Sequence, residues 1–168
     1  MVLNYQKTDG STLSGYSDAN WAGDLNDRHS TSGNVFFLAN GAISWLSKKQ
    51  ATVALSTAES EYIALSQAAQ EAIWLRRLLQ DIGMKFESPT QVNEDNQGAI
   101  AMAKNPVAHA RTKHIDIRYH FVREAIQDKE IVVKYIPTHE MIADILTKAL
   151  PRQQFVKLMY LMGLDKSN

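Results

Sequence analysis

One long helix constrains this chain more than any other feature. From about Thr57 to Ile82 apolar residues recur at helical spacing, with Leu65, Ala68, Ala72, Leu75 and Leu79 on a single stripe. Ser56-Thr-Ala-Glu59 opens it as a capping box, in which hydroxyl and carboxylate satisfy free backbone N–H groups reciprocally. Gly83 follows the last periodic residue and supplies the stop. A helix with one apolar stripe buries that stripe against a partner layer, and the residues before it read as strands.

Leu13 to Asp18 leads to Trp21, Gly33 to Ala39 is rich in strand formers, and Ala42 to Leu46 repeats the pattern. Asn40-Gly41 between the last two predicts a two-residue hairpin, because both positions tolerate positive φ. The polar stretch 23–32 reads as a loop, so three antiparallel strands are expected. After the long helix, Thr90 to Glu94 predicts a short strand and Asn96 to Lys104 a short helix ended by Asn105-Pro106. A third helix covers about Asp116 to Gln127, with Ile115, Tyr119, Val122 and Ile126 at helical spacing. Ile131 to Ile136 is a β-branched strand run broken by Pro137, and the C-terminus reads as helical over Glu140–Leu150 and Arg152–Met162. The order βββ-α-β-α-α-β-α predicts an α/β fold: a five-stranded mixed sheet, three antiparallel strands followed by parallel additions, flanked by helices. A single domain over 1–168 is expected, with 1–12 as a linker remnant and 164–168 as a flexible tail.

Composition excludes several classes. No apolar run approaches the roughly 20 residues that cross a bilayer, and no basic-then-apolar leader opens the sequence, so neither a membrane span nor a secretory signal is expected. The absence of Cys excludes disulfides and thiolate metal sites and fits a reducing compartment. With 18 basic and 18 acidic residues the formal net charge is zero, so nucleic-acid binding requires a local patch. Residues 104–123 offer one: Lys104, Arg111, Lys113, Arg118 and Arg123 against the single acid Asp116, with His109, His114 and His120 among them. Such a segment either contacts phosphates or forms a solvated helix face.

The acids carry the chemistry. Glu61 shares the apolar stripe of the long helix, whereas Glu59 lies on the opposite face with Gln70 and Arg77 and is explained by the capping box. An acid leading a buried stripe points at the sheet, or it simply favours the positive end of the helix dipole. Asp18 at a strand end reads more readily as a turn residue than as a ligand, Asp95 equally as a helix cap, and Asp144 more readily as a solvated dipole partner in an early helical turn. Spacing alone does not select these four. If they converged, their mutual repulsion would call for a hard divalent cation held by oxygen ligands.

Six strings, in order and at matching spacing, resemble the ribonuclease H domain at the C-terminal end of copia-type LTR-retrotransposon polyproteins: GYSDANWAGD (15–24), STSGNVFFLANGAISWLSKKQ (30–50), ALSTAESEYIALSQAAQEAIWLRRLL (54–79), EDNQGAIAMAKNP (94–106), RTKHIDIRYHFVREAI (111–126) and ADILTKALP (143–151). The resemblance runs from about Leu13 to Leu164 and implies a ribonuclease H-like fold. It also implies a metal-dependent endonuclease that cuts the RNA strand of RNA·DNA hybrids during reverse transcription, leaving 5′-phosphate and 3′-hydroxyl ends. By the same resemblance, Asp18, Glu61 and Asp95 hold one Mg²⁺, Asp18 and Asp144 hold a second, and Mn²⁺ substitutes. Gln97, Thr57 and Asn20 become candidates for reading the 2′-hydroxyl of RNA, and Arg111, Lys113 and Arg118 for contacting phosphate. His139 stands in the region where cellular ribonucleases H carry a histidine that helps proton transfer or product release. Partners implied are the hybrid and the reverse transcriptase domain of the same polyprotein, in the cytoplasm within the element's virus-like particle. Asn20 replaces the usual Asp of an SDADW string, and Leu46 stands where Ser is common. The competing class is a non-catalytic descendant that binds nucleic acid or docks a reverse transcriptase, whose mark would be a lost acid; none is lost.

Overall fold

The computed structural model describes residues 1–5, 12–105 and 113–165, the side chains of 113–116 and 119 excepted. In chain order the elements are β1 (Val2–Leu3), β2 (Ser14–Asn20), β3 (Thr31–Leu38), β4 (Gly41–Lys49), α1 (Thr57–Asp81), β5 (Thr90–Glu94), α2 (Gln97–Lys104), α3 (Lys113–Gln127), β6 (Ile131–Tyr135), a 3₁₀ turn (Thr138–Glu140), α4 (Asp144–Thr147), α5 (Arg152–Leu161) and β7 (Leu164–Asp165). The main sheet runs β4-β3-β2-β5-β6. β4, β3 and β2 are antiparallel, and β5 and β6 add in parallel, as the sequence predicts.

Period-two alternation in β3 feeds two cores, one on each face of the sheet. Phe36 points to the layer of α1, α2 and α3, where it meets Leu65, Ala68, Leu75, Val92, Ile100 and Val122. Val35 and Phe37 point the other way, to Met141, Ile142, Ala143 and Met162. Arg76 fastens α1 to the strands beneath it: it is buried, donates to Glu130 at 2.9 Å, to the Ser88 carbonyl at 2.9 Å and to Thr90 at 3.2 Å, and stacks on Phe86.

Three expectations are revised. The β3–β4 turn is made by Ala39 and Asn40, with φ of 53° and 61°, because Leu38 pairs with Gly41. Gly41 serves close approach instead: a Cβ there would lie 2.6 Å from the Tyr5 ring and 2.7 Å from the Asn4 carbonyl. The span Glu140–Leu150 is not one helix. Met141 leaves helical geometry at ψ 101°, and Lys148 is extended (φ −142°, ψ 156°). Between those two breaks the helix is Asp144–Thr147, and Pro151 further disfavours the helical region for Leu150. Residues 2–3 and 164–165, read from the sequence as linker and tail, pair with each other in an antiparallel two-stranded sheet. Residues 6–11 and 166–168 of those spans lie outside the described residues. Among the described residues no helix is long and apolar enough to cross a membrane.

Candidate metal centre

Local structure explains how each acid arrives. Asp18 is the fifth residue of β2, opposite Gly33 in the β2–β3 ladder. β5 runs parallel to β2, with Tyr16 against Asn93, and delivers Asp95 just past its C-terminal end beside Asp18. Asp95 does not cap α2; Asn96 does, its side chain accepting from Ala99 N–H at 3.0 Å. The α1 start is capped by Ser56, which accepts from Glu59 N–H at 3.2 Å, while the Glu59 carboxylate accepts from Leu55 N–H at 2.8 Å. Trp21 anchors the preceding loop by donating to the Ala54 carbonyl at 3.1 Å. Glu61 is then buried on the stripe with Leu65, Ala68, Ala72, Leu75 and Leu79, and it accepts from the Ala19 backbone N–H.

Asp18, Glu61 and Asp95 each offer a carboxylate oxygen within 4.8 Å of the others. Asp144 comes from the opposite face of the sheet. Gly33 permits its approach, since a Cβ on that residue would stand 2.6 Å from Thr147 Cγ2 and 3.0 Å from Leu146 Cβ. Without that side chain α4 settles against β3, Thr147 Oγ1 donates to Asp18 Oδ2, and Lys148 Nζ lies 2.8 Å from Asp144 Oδ1 and 3.6 Å from Asp18 Oδ2.

The electrostatics follow from crowding and burial. Burial pushes Asp18 up to about 6, with Lys148 and Thr147 pulling down and Asp144 and Asp95 pushing up. Glu61 rises to about 9, through burial first and then Asp18 and Asp95. Burial also raises Asp144, with Lys148 opposing it. Donors are scarce: Glu61 Oε2 is buried without a hydrogen-bond partner, and the Lys148 ammonium at 2.8 Å is the group that faces the buried Asp144 Oδ1. Oxygen-only groups, close together, short of donors and driven toward protonation fit a hard divalent cation.

Sequence reasoning passed over three residues here. Thr147 and Lys148 sit in the ADILTKALP string but carry no signal that an extended residue before Ala149-Leu150-Pro151 turns back onto Asp18. Glu94 is fully buried beneath Glu61; its Oε1 accepts from Asn96 N–H at 3.1 Å, its Oε2 has no partner, and burial followed by Glu61 holds it well above the ordinary range. The signal for Glu94 was available: it shares the period-two face of Thr90 and Val92, an acid where an apolar residue belongs.

The other candidates are scattered. Thr57 and Gln97 are exposed as the first residues of α1 and α2, and Asn20 ends β2 half-buried. Arg118 reaches a cleft between α1 and β4, lined also by Lys48, Gln67 and Trp74. Arg111 and the side chain of Lys113 lie outside the described residues. His139 is exposed in the 3₁₀ turn, its Nε2 3.5 Å from Glu140 Oε1.

A mixed five-stranded sheet with acids at the ends of its two central strands and at the start of the helix crossing them defines a ribonuclease H fold. Solved structures agree on the fold. An N-terminal ribonuclease H domain from Mycobacterium tuberculosis superposes with TM-score 0.59 at 12% identity, covering 90% of this chain and 98% of that one. LC11-RNase H1 in complex with an RNA/DNA hybrid gives 0.57 at 16% identity, covering 81% and 94%. A foamy viral protease-reverse transcriptase in complex with an RNA/DNA hybrid gives 0.54 at 13%, covering 88% of this chain and 21% of that one. By sequence the chain is 48% identical over 155 residues to the retrovirus-related Pol polyprotein from transposon TNT 1-94 of Nicotiana tabacum, and 41% identical over 159 residues to that from transposon RE1 of Arabidopsis thaliana. It belongs to the family of retrovirus-related Pol polyproteins of transposons and has the ribonuclease H fold, which bears out the resemblance read from the sequence. These matches cover 92% and 94% of this chain but 12% and 11% of the relatives' length. No protein-family model matches the chain.

Proposed function

We propose that this chain is a metal-dependent endonuclease that hydrolyses the RNA strand of RNA·DNA hybrids, leaving 5′-phosphate and 3′-hydroxyl ends. The observation that carries it is the packing of Asp18, Glu61 and Asp95 within 4.8 Å, with Asp144 facing Asp18 across Lys148. In this reading Asp18, Glu61 and Asp95 hold one Mg²⁺ and Asp18 with Asp144 the other, Mn²⁺ substituting. Bound there, such ions would supply activation of water and stabilisation of the leaving oxygen in phosphodiester hydrolysis. The protein contributes placement. Thr147 fixes the Asp18 carboxylate, Ala19 N–H and the α1 start fix Glu61, and the Asn96 cap fixes the turn that carries Asp95. Gln97 and Thr57 open α2 and α1 and Asn20 ends β2, and we assign them to the minor groove and its 2′-hydroxyls. Arg111, Lys113 and Arg118 are assigned to phosphates, and His139 to an auxiliary role. The two solved relatives bound to RNA/DNA hybrid support the substrate class, and the foamy viral protease-reverse transcriptase supports a reverse transcriptase partner in the same polyprotein. We place the reaction in the cytoplasmic particle of the element.

The test is a panel of labelled RNA·DNA hybrid, RNA duplex and single-stranded RNA, each with Mg²⁺ or Mn²⁺ and a chelator control. Cleavage confined to the RNA strand of the hybrid and abolished by chelator is the expected result. A chain that binds hybrid without cutting it in either metal is the non-catalytic alternative.

A further inference from the structure

Among the described residues at the site, Lys148 carries the charge opposite to that of the acids. Its ammonium is within ion-pair distance of both Asp18 and Asp144, and among the described residues no other ion pair reaches either acid. The position is built by the chain. Pro151 and the extended Lys148 end α4 after one turn, and the i,i+4 offset from Asp144 returns the side chain over the carboxylates. Its side chain is one-third exposed, whereas those of Asp18 and Asp144 are 2% and 3% exposed, so the ammonium closes the mouth of the site. The oxygen it faces, Asp144 Oδ1, is buried and lies 2.8 Å from the ammonium. An ammonium so placed occupies the position between Asp18 and Asp144 that the proposed function gives to the second divalent ion, and two cations do not share that space.

We propose that Lys148 is a resident counter-cation: it neutralises Asp18 and Asp144 in the metal-free protein and is displaced toward solvent when a divalent ion enters between them. The inference rests on the metal-dependent reading above and adds a positioning residue that sets ion affinity. Burying carboxylates without a counter-charge is costly, so the lysine keeps the empty site folded. The same attraction is lost when an ion binds, so affinity is lower than the acids alone would give.

Calorimetric titration of Mn²⁺ and of Mg²⁺ into the wild-type chain, Lys148→Met and Lys148→Arg tests this, together with melting of each in chelator. Lys148→Met is expected to bind Mn²⁺ about tenfold tighter, the size of one partly screened charge interaction. It should also melt lower than wild type without metal and recover when the ion is added. Lys148→Arg, which keeps the charge, should stay near wild type in both. In the unmutated chain, the Lys148 side-chain NMR signals should move to those of a solvated lysine at ion saturation, a readout that survives if Lys148→Met does not fold. Unchanged affinity in Lys148→Met, or unmoved signals at saturation, overturns the inference while leaving the metal reading standing. Failure of both wild type and Lys148→Met to bind either ion takes down both.

Discussion

Asp95 sits at the rim of the cluster and Asp18 at its bottom, yet the same arithmetic applies to each. Removing one negative charge relieves repulsion among the remaining acids when no metal is present. Asp95→Asn and Asp18→Asn should each abolish hybrid cleavage at saturating Mg²⁺ while melting in chelator stays level or rises; retention of most activity in either variant would refute the ligand assignment. The raised carboxyls also fix a pH dependence. Asp18, Glu61, Glu94 and Asp144 keep their protons in the folded chain at a pH where the unfolded chain has released them. Their contribution is therefore complete below the ordinary carboxylate range of about 4 and drains as pH rises through about 6 for Asp18 and toward about 9 for Glu61. The exposed Asp24 and Asp27, lowered by Lys49, act with the opposite sign but only as pH falls below the ordinary carboxylate range. The melting midpoint in chelator should fall steadily from pH 5 to pH 9, and saturating Mg²⁺ should flatten that slope.

Among elements, α1 and α4 present opposite cases. The role of α1 was legible, because the stripe that begins at Glu61 continues through Leu79 and separates it by face from Glu59. Glu61→Gln should cost nearly all activity, whereas Glu59→Gln should cost little activity and at most about 1 kcal/mol of stability, the usual size of a cap effect. Equal activity losses would undo the face argument. α4 was not legible: its brevity depends on Lys148 turning extended before Pro151, and its depth on a missing side chain in another element. Gly33→Ala should push Thr147 and Leu146 off β3, costing about 1–3 kcal/mol, the range for overpacking a filled site. It should also lower cleavage by parting Asp144 from Asp18, which titration of Mn²⁺ would register as weaker binding.

At the scale of the molecule, the alternation of apolar residues was enough to order the strands and helices, and the sheet came out as the sequence predicts. What the pattern could not supply was convergence. Asp18 and Asp95 meet only because β5 inserts in parallel beside β2, a pairing that no local signal encodes, and the four acids were selectable from their sequence strings alone. Glu94 was missed although its period-two face with Thr90 and Val92 marked it, because a strand end next to Asp95-Asn96 reads as surface. The parallel pairing has a kinetic consequence. Tyr16 faces Asn93 across the parallel pair with the whole of α1 lying between them in sequence, and long-range closures of this sort are slow. We expect the proposed cation pocket to be absent at the rate-limiting step, so that an ion binding only the finished pocket acts on the return journey. At an ion concentration of roughly 100 times its dissociation constant the native state gains about 2.7 kcal/mol. Stopped-flow measurements should show Mg²⁺ slowing unfolding by about a hundredfold while refolding in chelator and in Mg²⁺ proceeds at nearly the same rate; acceleration of refolding by the ion would mean that β2 and β5 meet early.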